Sequence, residues 1–501
     1  MLAQVSTATV IGVEAVTVRV EVDVAFGLPG LTIVGLAGGA VLEARERVRS
    51  AIRNSGYEVP ARRITVNLAP ADLPKEGTAY DLAIAIGILA ASGQLPKAID
   101  LDATALIGEL ALDGGLRRLP GALALVDAAR RAGLREALVA RDAVEEAAAV
   151  RGIPVVGAAS LRDAIGHLSG TARLPVAEPL PIPDVVPQDA PDLSEVIGQS
   201  MARRALEIAL AGRHHCFLEG PPGTGKTLLL RAARGLLPPL DDDEASEVSR
   251  IYSVAGLLDR RAPVRRERPI REPHHTISTQ ALVGGGPRVR PGEASLAHHG
   301  LLLLDELRQF RSDALDALRQ PLESGAVTVA RVDGAVTLPA AFQLLAAANT
   351  CPCGWRHSGR RECTCDEASA RRYAHRLSGP LRDRIDLWVR MEEPASLTTA
   401  IDGREPSAVV GRRIAAARHR QHARQGRLNA DVPSYTLLAD EWLGGAAVRT
   451  LIREGERLIL SPRRLHRAAR VARTIADLEG ESLAASAHVL EALFYRPGAD
   501  R

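Results

Sequence analysis

Lysine is almost missing from this chain: among 501 residues there are three, Lys75, Lys97 and Lys226, and arginine carries nearly all the other positive charge. No apolar run approaches the about 18 to 20 residues needed to cross a membrane, so no membrane-spanning helix and no membrane partner is expected. The first residues, Met1 to Val10, have neither a basic start nor a continuous apolar core. They give no sign of a signal peptide, and the cytoplasm is the expected compartment. Cysteine is scarce too: there are five, four of them in one short cluster, which excludes a secreted disulfide framework. Net charge is only +3, so binding to nucleic acid cannot be argued from bulk charge and would have to come from local arginine stripes. At this length the chain can hold two to four domains with cores of their own.

One of the three lysines lies in the most informative stretch. Gly220-Pro221-Pro222-Gly223-Thr224-Gly225-Lys226-Thr227 is a complete G-x-x-x-x-G-K-[ST] phosphate-binding loop, set between the apolar Cys216-Phe217-Leu218 and the helix-forming Leu228 to Ala233. Glycines at these positions let backbone N–H groups turn inward around a phosphate, and the helix that follows adds the positive end of its dipole. Lys226 would reach the β- and γ-phosphates of ATP, and the Thr227 hydroxyl would ligate Mg²⁺. The apolar run Leu301 to Leu304, long enough for one buried parallel strand, ends in Asp305 and Glu306. Asp305 would hold the Mg²⁺ through water and Glu306 would polarise the attacking water, which is the chemistry of an ATPase and not of a kinase.

Along the rest of the chain, valine alternates with Thr17, Arg19, Glu21 and Asp23 from Val16 to Val24, the period of a half-buried strand. Helices are expected at Val41 to Asn54 and Asp81 to Ala91, a strand at Ile64 to Leu68, and a hairpin around Asp113-Gly114-Gly115. Residues 1–170 therefore read as an α+β domain. Prolines recurring from Arg173 to Pro191 make 171–191 a semi-extended linker. A nucleotide-binding domain at 192–395 and an arginine-rich helical domain at 396–501 follow.

Two segments could meet a nucleic acid. Arg265 to Gly292 is rich in arginine and glycine and contributes Arg271, Arg288 and Arg290. Val327 to Leu338 reads as a hairpin with Asp333-Gly334 near its tip and Arg331 beside it. Both could equally be protein contacts, since glutamates dilute their charge. Cys351, Cys353, Cys363 and Cys365 can make a closed tetrahedral Zn²⁺ site, and their tight C-x-C spacing suits free thiols or a redox-sensitive loop as well. Cys216 belongs to a core strand. His274-His275 and His298-His299 are expected to point apart in pairs and to serve backbone hydrogen bonding or nucleotide-state sensing.

Several segments resemble known families. Leu73-Pro74-Lys75-Glu76-Gly77 and Ala105 to Leu110 resemble the proteolytic domain of Lon, which has a ribosomal-S5-like fold. The nucleophilic serine and the lysine base of that protease have no counterpart here, where Thr78-Ala79-Tyr80-Asp81 and a stretch without lysine stand instead, so no peptidase chemistry is expected. Thr78 is expected to cap a helix, and the domain to serve binding of a protein partner or assembly. Asp192 to Gln199 resembles the opening of an AAA+ module, with Asn349 in the position of its sensor-1 residue, which orients the lytic water. Ser378 to Asp386 is similar to the segment of the magnesium-chelatase and MCM branch that gives an arginine finger to a neighbouring subunit. That resemblance implies Arg384 for the role, with Arg382 second, against the plainer alternative of a salt bridge to Asp383 or Asp386. Arg463, opening a helix after Ser461-Pro462, resembles sensor 2, reaching the nucleotide from a helical lid.

From end to end the sequence resembles the YifB/ComM family of magnesium-chelatase-like AAA+ ATPases, with Thr350 where proline is usual and Glu219 where an apolar residue is common. The resemblance implies an α/β chain of three parts: a Lon-protease/S5-like α+β domain, an AAA+ domain with a parallel sheet, and a helical lid. It further implies a hexameric ATP-driven motor on branched or single-stranded DNA, a helicase of branch migration in recombination or natural transformation. The alternative is a remodelling ATPase like the magnesium-chelatase I subunit, which the resemblance implies lacks the amino-terminal domain.

Overall fold

The computed structural model describes all residues except 37, 97–98, 181–189, 260, 287–288, 332–333, 394–403, 434–441 and 497–501, with only the backbone of Arg331 described. The amino-terminal part is built on a seven-stranded mixed sheet, in the order Gly30–Val34, Arg63–Ala69, Glu14–Ala25, Leu2–Ile11, Thr104–Leu106, Glu136–Ala140, Val155–Ala158. The valine alternation is realised in Glu14–Ala25: Val18, Val20, Val22 and Val24 are buried while Arg19 and Asp23 face outward. Helices Gly39–Asn54 and Asp81–Ala91 cover this sheet. The second is apolar all round and almost wholly buried, as a helix between layers must be.

The second sheet is five-stranded and parallel throughout, ordered Ile270–Arg271, Leu301–Leu304, Gln343–Ala348, Cys216–Glu219, Leu387–Arg390. Leu301–Leu304 and Gln343–Ala348 are buried at every residue, the pattern of parallel strands covered on both faces. One apolar core runs from Ala8 of the first sheet and Val13 of its first turn to Phe217, Leu304 and Leu344 of the second without a break. Gly12, at φ +68° in the turn between the first two strands, comes so close to the hairpin Ala326–Arg331 and Gly334–Pro339 that an added Cβ would lie 2.6 Å from Val336.

The carboxyl-terminal helices Ser407–Gln425, Gly445–Arg457, Pro462–Glu479 and Ser486–Phe494 pack onto the second sheet through Ser200–Gly212. Three arginines of the first of these are structural: Arg413 pairs with Glu207 and Glu405, Arg424 with Asp477, and buried Arg418 donates to the Leu210 carbonyl. Asp386 anchors the same joint. Buried at the start of Leu387–Arg390, it accepts from Arg467 at 2.8 Å and from the His215 N–H at 3.1 Å, with Arg496 at 3.6 Å. Burial alone would raise its carboxyl, but the charges of Arg467, His214 and Arg496 outweigh that and hold it well below the usual carboxylate range. Its contribution is therefore complete above the unfolded carboxylate value and is lost as pH falls through the depressed one. Asp386→Ala strands two buried guanidiniums and is expected to cost about 3 to 5 kcal/mol, read as a lower urea midpoint for the unfolding of this half.

Thr78 does not cap the helix Asp81–Ala91. Tyr80 occupies the cap position without a side-chain bond, and the Thr78 hydroxyl donates to Glu109 at 2.5 Å. Asp81, at the start of the helix, is instead held by a fork of bonds from Arg47, and that ion pair fixes the helix end.

Candidate functional site

The phosphate loop begins where Cys216–Glu219 leaves the carboxyl edge of the parallel sheet. Gly220 lies against the Met391 carbonyl, where an added Cβ would come to 2.5 Å, so glycine is required for the close approach. Gly223 and Gly225 turn at φ +79° and +88° and open directly into the helix Lys226–Ala232. The N–H groups of Gly223 to Thr227 find no backbone acceptor among the described residues, which leaves a row of donors available to an anion. Lys226, only 8% exposed, donates to the carbonyls of Gly220 at 2.8 Å and Pro221 at 2.7 Å. Its ammonium thus occupies the hollow of the loop, where phosphate oxygens would replace those carbonyls.

Asp305 closes the site from the end of Leu301–Leu304, one strand beyond Gln343–Ala348. The Thr227 hydroxyl donates to its Oδ2 at 2.5 Å, so two hard oxygen ligands stand side by side, a donor set suited to Mg²⁺. Glu306 follows in the left-handed region at φ +52°, a conformation that costs a non-glycine residue about 1 to 3 kcal/mol. The turn swings its half-exposed carboxylate away from the strand, to 3.6 Å from His275 Nδ1. Asn349 leaves the buried strand Gln343–Ala348 beside the loop, and the Gly220 N–H donates to the Ala348 carbonyl at 3.3 Å.

Arg308 is a member of this site that no motif in the chain singles out. Buried between the rings of Phe217 and Tyr373, it donates to Glu219 at 2.6 Å and to the Asn349 carbonyl at 2.7 Å. The unusual acid before the loop is thereby neutralised, with Trp388 Nε1 as its second donor at 3.3 Å. Glu219 was the available signal, because an acid at the end of a buried strand requires a cation nearby.

Burial pushes Lys226 down to about 8, against the opposing pull of Asp305, Glu219 and Glu306. The unfolded chain binds the extra proton between that value and 10.5, so this group's contribution to stability rises with pH across that window. A bound phosphate restores the charge. Nucleotide binding at about pH 9 is therefore expected to take up close to one proton, and at about pH 7 almost none, as measured by calorimetry in buffers of different ionisation enthalpy. Lys226→Arg, charged throughout, should bind without that uptake.

Arg384, expected to serve the nucleotide of a neighbouring subunit, and Arg463, expected to reach the nucleotide from the lid, both lie away from the loop. Arg384 precedes Leu387–Arg390 and so stands at the amino edge of the parallel sheet, a strand's length of about 13 Å or more from the loop. Both Arg384 and Arg463 are ion-paired to Glu323, Arg463 at 2.7 Å. Arg463 therefore does not reach the nucleotide loop of its own chain, since the helix Pro462–Glu479 is docked at the opposite end of the strands. Neither Asp383 nor Asp386 pairs with Arg384; they are taken by Arg464 and Arg467. Arg463, Arg467, Arg213 and Arg470 line a cavity of about 790 Å³ at this edge, with Glu323, Asp386 and Asp431 as its acids.

Of the residues expected to meet nucleic acid, Arg271 is committed to Glu293 through bonds of 2.5 and 2.8 Å. Arg290 is exposed on a two-residue strand paired with Gly284–Gly285. Arg288 and the side chain of Arg331 lie outside the described residues, although Arg331 itself pairs with Gly334 at the end of the expected hairpin. The histidine pairs do not point apart: the ring centroids of His274 and His275 lie 4.1 Å from each other and those of His298 and His299 4.0 Å, in both cases with the planes tilted. Glu247 accepts from both of the latter and draws them to one side. Cys216 is buried, which pushes its thiol up to about 12. The other four cysteines gather with all their sulfurs within 4.8 Å of one another.

Comparison with known proteins covers nearly the whole chain. Residues 192–398 match the family described as "Magnesium chelatase, subunit ChlI", residues 20–143 the one described as "Subunit ChlI of Mg-chelatase", and residues 404–496 its C-terminal part. The chain is 45% identical to the protein YifB of Escherichia coli (strain K12), over 99% of this chain and 97% of the other. It is 43% identical to "Competence protein ComM" of Haemophilus influenzae over the same shares. The magnesium-chelatase 67 kDa subunit of Heliobacterium mobile is 28% identical over 30% of this chain. No helix among the described residues is long and apolar enough to cross a membrane.

Proposed function

This chain belongs to the magnesium-chelatase-like family of YifB and ComM, and from that premise we propose that it is a Mg²⁺-dependent AAA+ ATPase that works as a ring on DNA. The observation that carries the reading is the division of the site between the two edges of one sheet. Gly220 to Thr227, Asp305, Glu306 and Asn349 stand at the carboxyl edge, while Arg384 and Arg463 stand at the amino edge. A complete site then needs the arginine edge of a second copy set against the loop of the first. Repeated head to tail, that contact closes a ring.

Within such a site the row of N–H groups and Lys226 would bind the phosphates, and Thr227 with Asp305 would hold the metal, which shields the developing charge. Glu306 would take the proton of the attacking water, and Asn349 would orient it. Arg384 of the adjacent subunit would stabilise the transferring phosphoryl group. Action on DNA is supported by the competence protein at 43% identity and by the exposed Arg290 beside the glycine-rich turn. The alternative, an ATPase that remodels a protein as a chelatase subunit does, draws on the family descriptions. Because residues 20–143 also match a chelatase description, the amino-terminal domain does not separate the two readings.

ATP hydrolysis by the full chain, alone and with single strands, duplex and a four-way junction at two salt concentrations, is the test. Stimulation by branched or single-stranded DNA that salt abolishes is the expected result. Turnover indifferent to every DNA form would overturn the motor and leave the protein-remodelling reading.

A further inference from the structure

We propose that Cys351, Cys353, Cys363 and Cys365 form a mononuclear tetrahedral zinc centre whose loop braces the phosphate loop, so that loading of the metal sets the affinity for nucleotide. The geometry of the sulfurs carries the first half. A zinc ion with four thiolates at about 2.3 Å places those sulfurs about 3.8 Å apart along the edges of the tetrahedron. Here Cys351 and Cys353 are 3.4 Å apart, Cys353 and Cys363 3.6 Å, and Cys351 and Cys363 3.7 Å. These separations are far longer than the about 2.05 Å of a disulfide. They are also too short to enclose a polynuclear cluster, and one ion is what fits between them.

Backbone donors complete the setting. The Arg356 N–H donates to Cys351 Sγ at 3.3 Å and the Cys353 N–H to Cys365 Sγ at 3.4 Å, the kind of bond that steadies a metal-bound thiolate from outside the coordination sphere. The donor set is entirely soft sulfur, which favours zinc over the oxygen-seeking Mg²⁺ that would serve the neighbouring site. A closed four-ligand shell leaves no open position for catalysis, so the part such an ion plays is to hold backbone.

What it holds is the second half. The cluster begins two residues after Asn349, and the intervening Thr350 hydroxyl donates back to the carbonyls of Gly354 at 3.3 Å and Arg356 at 2.9 Å. A side chain without a hydroxyl could make neither bond. The turn is closed by the Gly354 N–H on the Cys351 carbonyl at 3.0 Å, with Gly354 at φ +87°. Gly354 is pressed onto the phosphate loop: an added Cβ would lie 2.7 Å from Pro222 Cγ and 3.8 Å from Asn349 Cγ. The Asn349 carbonyl is pinned from the other side by Arg308. A rigid knuckle thus bears on Pro222 and on Asn349 at once. Without the ion, only the weak N–H bonds to Cys351 and Cys365 hold the sulfurs, and the loop loses most of its backing.

This coupling rests on the phosphate loop being the nucleotide site, whereas the metal centre does not. The full chain, purified without a metal-affinity tag, is expected to carry one zinc per chain by elemental analysis. Replacement by Co²⁺ should give the visible bands of a tetrahedral thiolate site, and Cys363→Ser with Cys365→Ser should abolish both. A chain that holds no metal after zinc addition, with four thiols that react freely, overturns the centre. For the coupling, binding of a fluorescent ADP is expected to weaken at least tenfold in the metal-free protein, with unchanged far-ultraviolet circular dichroism. Gly354→Ala should retain zinc and still bind ADP more weakly, because a Cβ at φ +87° strains the turn and its methyl group meets Pro222. Wild-type affinity in both overturns the brace. Lys226→Ala is the control that keeps the readings apart: unchanged ADP binding there refutes the nucleotide site itself, and with it the brace, and leaves the zinc centre to be judged on metal content alone.

Discussion

Alanine in place of Arg384 is expected to lower ATP turnover by about 10³-fold, the scale on which an arginine supplied to a transferring phosphoryl group acts, while leaving nucleotide binding nearly intact. The fold should survive, because Glu323, the residue that holds Arg384 within its own chain, keeps Arg463 as a partner at 2.7 Å. The decisive measurement is complementation. A preparation of Arg384→Ala mixed with one of Glu306→Gln forms some interfaces in which an intact Glu306 faces an intact Arg384 from the adjacent subunit. Two inactive proteins should then recover part of the wild-type rate on mixing. Were Arg384 to act within its own chain, or only as a surface ion pair, no recovery would follow. In the first case each chain would carry one lesion that no neighbour mends, and in the second Arg384→Ala would not be inactive to begin with.

Glu306→Gln by itself is expected to reduce turnover by about 10² to 10³-fold with ATP affinity preserved, so that ATP stays bound and unhydrolysed. The change keeps the size of the side chain and its left-handed backbone at φ +52°, and removes only the capacity to accept a proton from water. Asp305, which bonds Thr227, is untouched, so metal binding should persist. Single-turnover quench measurements read the chemical step directly. Near-normal turnover would refute the assignment of Glu306 and direct attention to Asp305 or another carboxylate.

Much of the fold was legible along the chain where each signal is short in range. Valine alternation fixes which face of Glu14–Ala25 is buried, and four consecutive leucines ending in two acids suit a covered strand with its carboxylates at the edge, as found. The phosphate loop was legible for the same reason, since its chemistry depends on eight consecutive residues. Thr78 was misread because hydroxyl capping competes with any stronger partner nearby. Glu109, distant in sequence, won that competition while Arg47 fixed the helix end through Asp81. The histidine pairs were misread because the direction of neighbouring side chains on a turn is set by what attracts them, here Glu247 for one pair.

The sequence by itself determined which groups this protein carries: a phosphate-loop motif, two carboxylates on a strand end, a strand-end amide and a group of four thiols, each encoded by residues close together in the chain. Only the tertiary structure decided how these groups are distributed. It set Arg384 and Arg463 on the edge of the sheet opposite the loop, supplied Arg308 to balance Glu219, and pressed the Gly354 turn onto Pro222. The physical reason is that a motif is specified by local backbone geometry, whereas the side of a sheet on which a helix docks depends on burial summed over many distant residues. For Pro462–Glu479 that burial lies against Ser200–Gly212 and Ser407–Gln425, which no short stretch of sequence records.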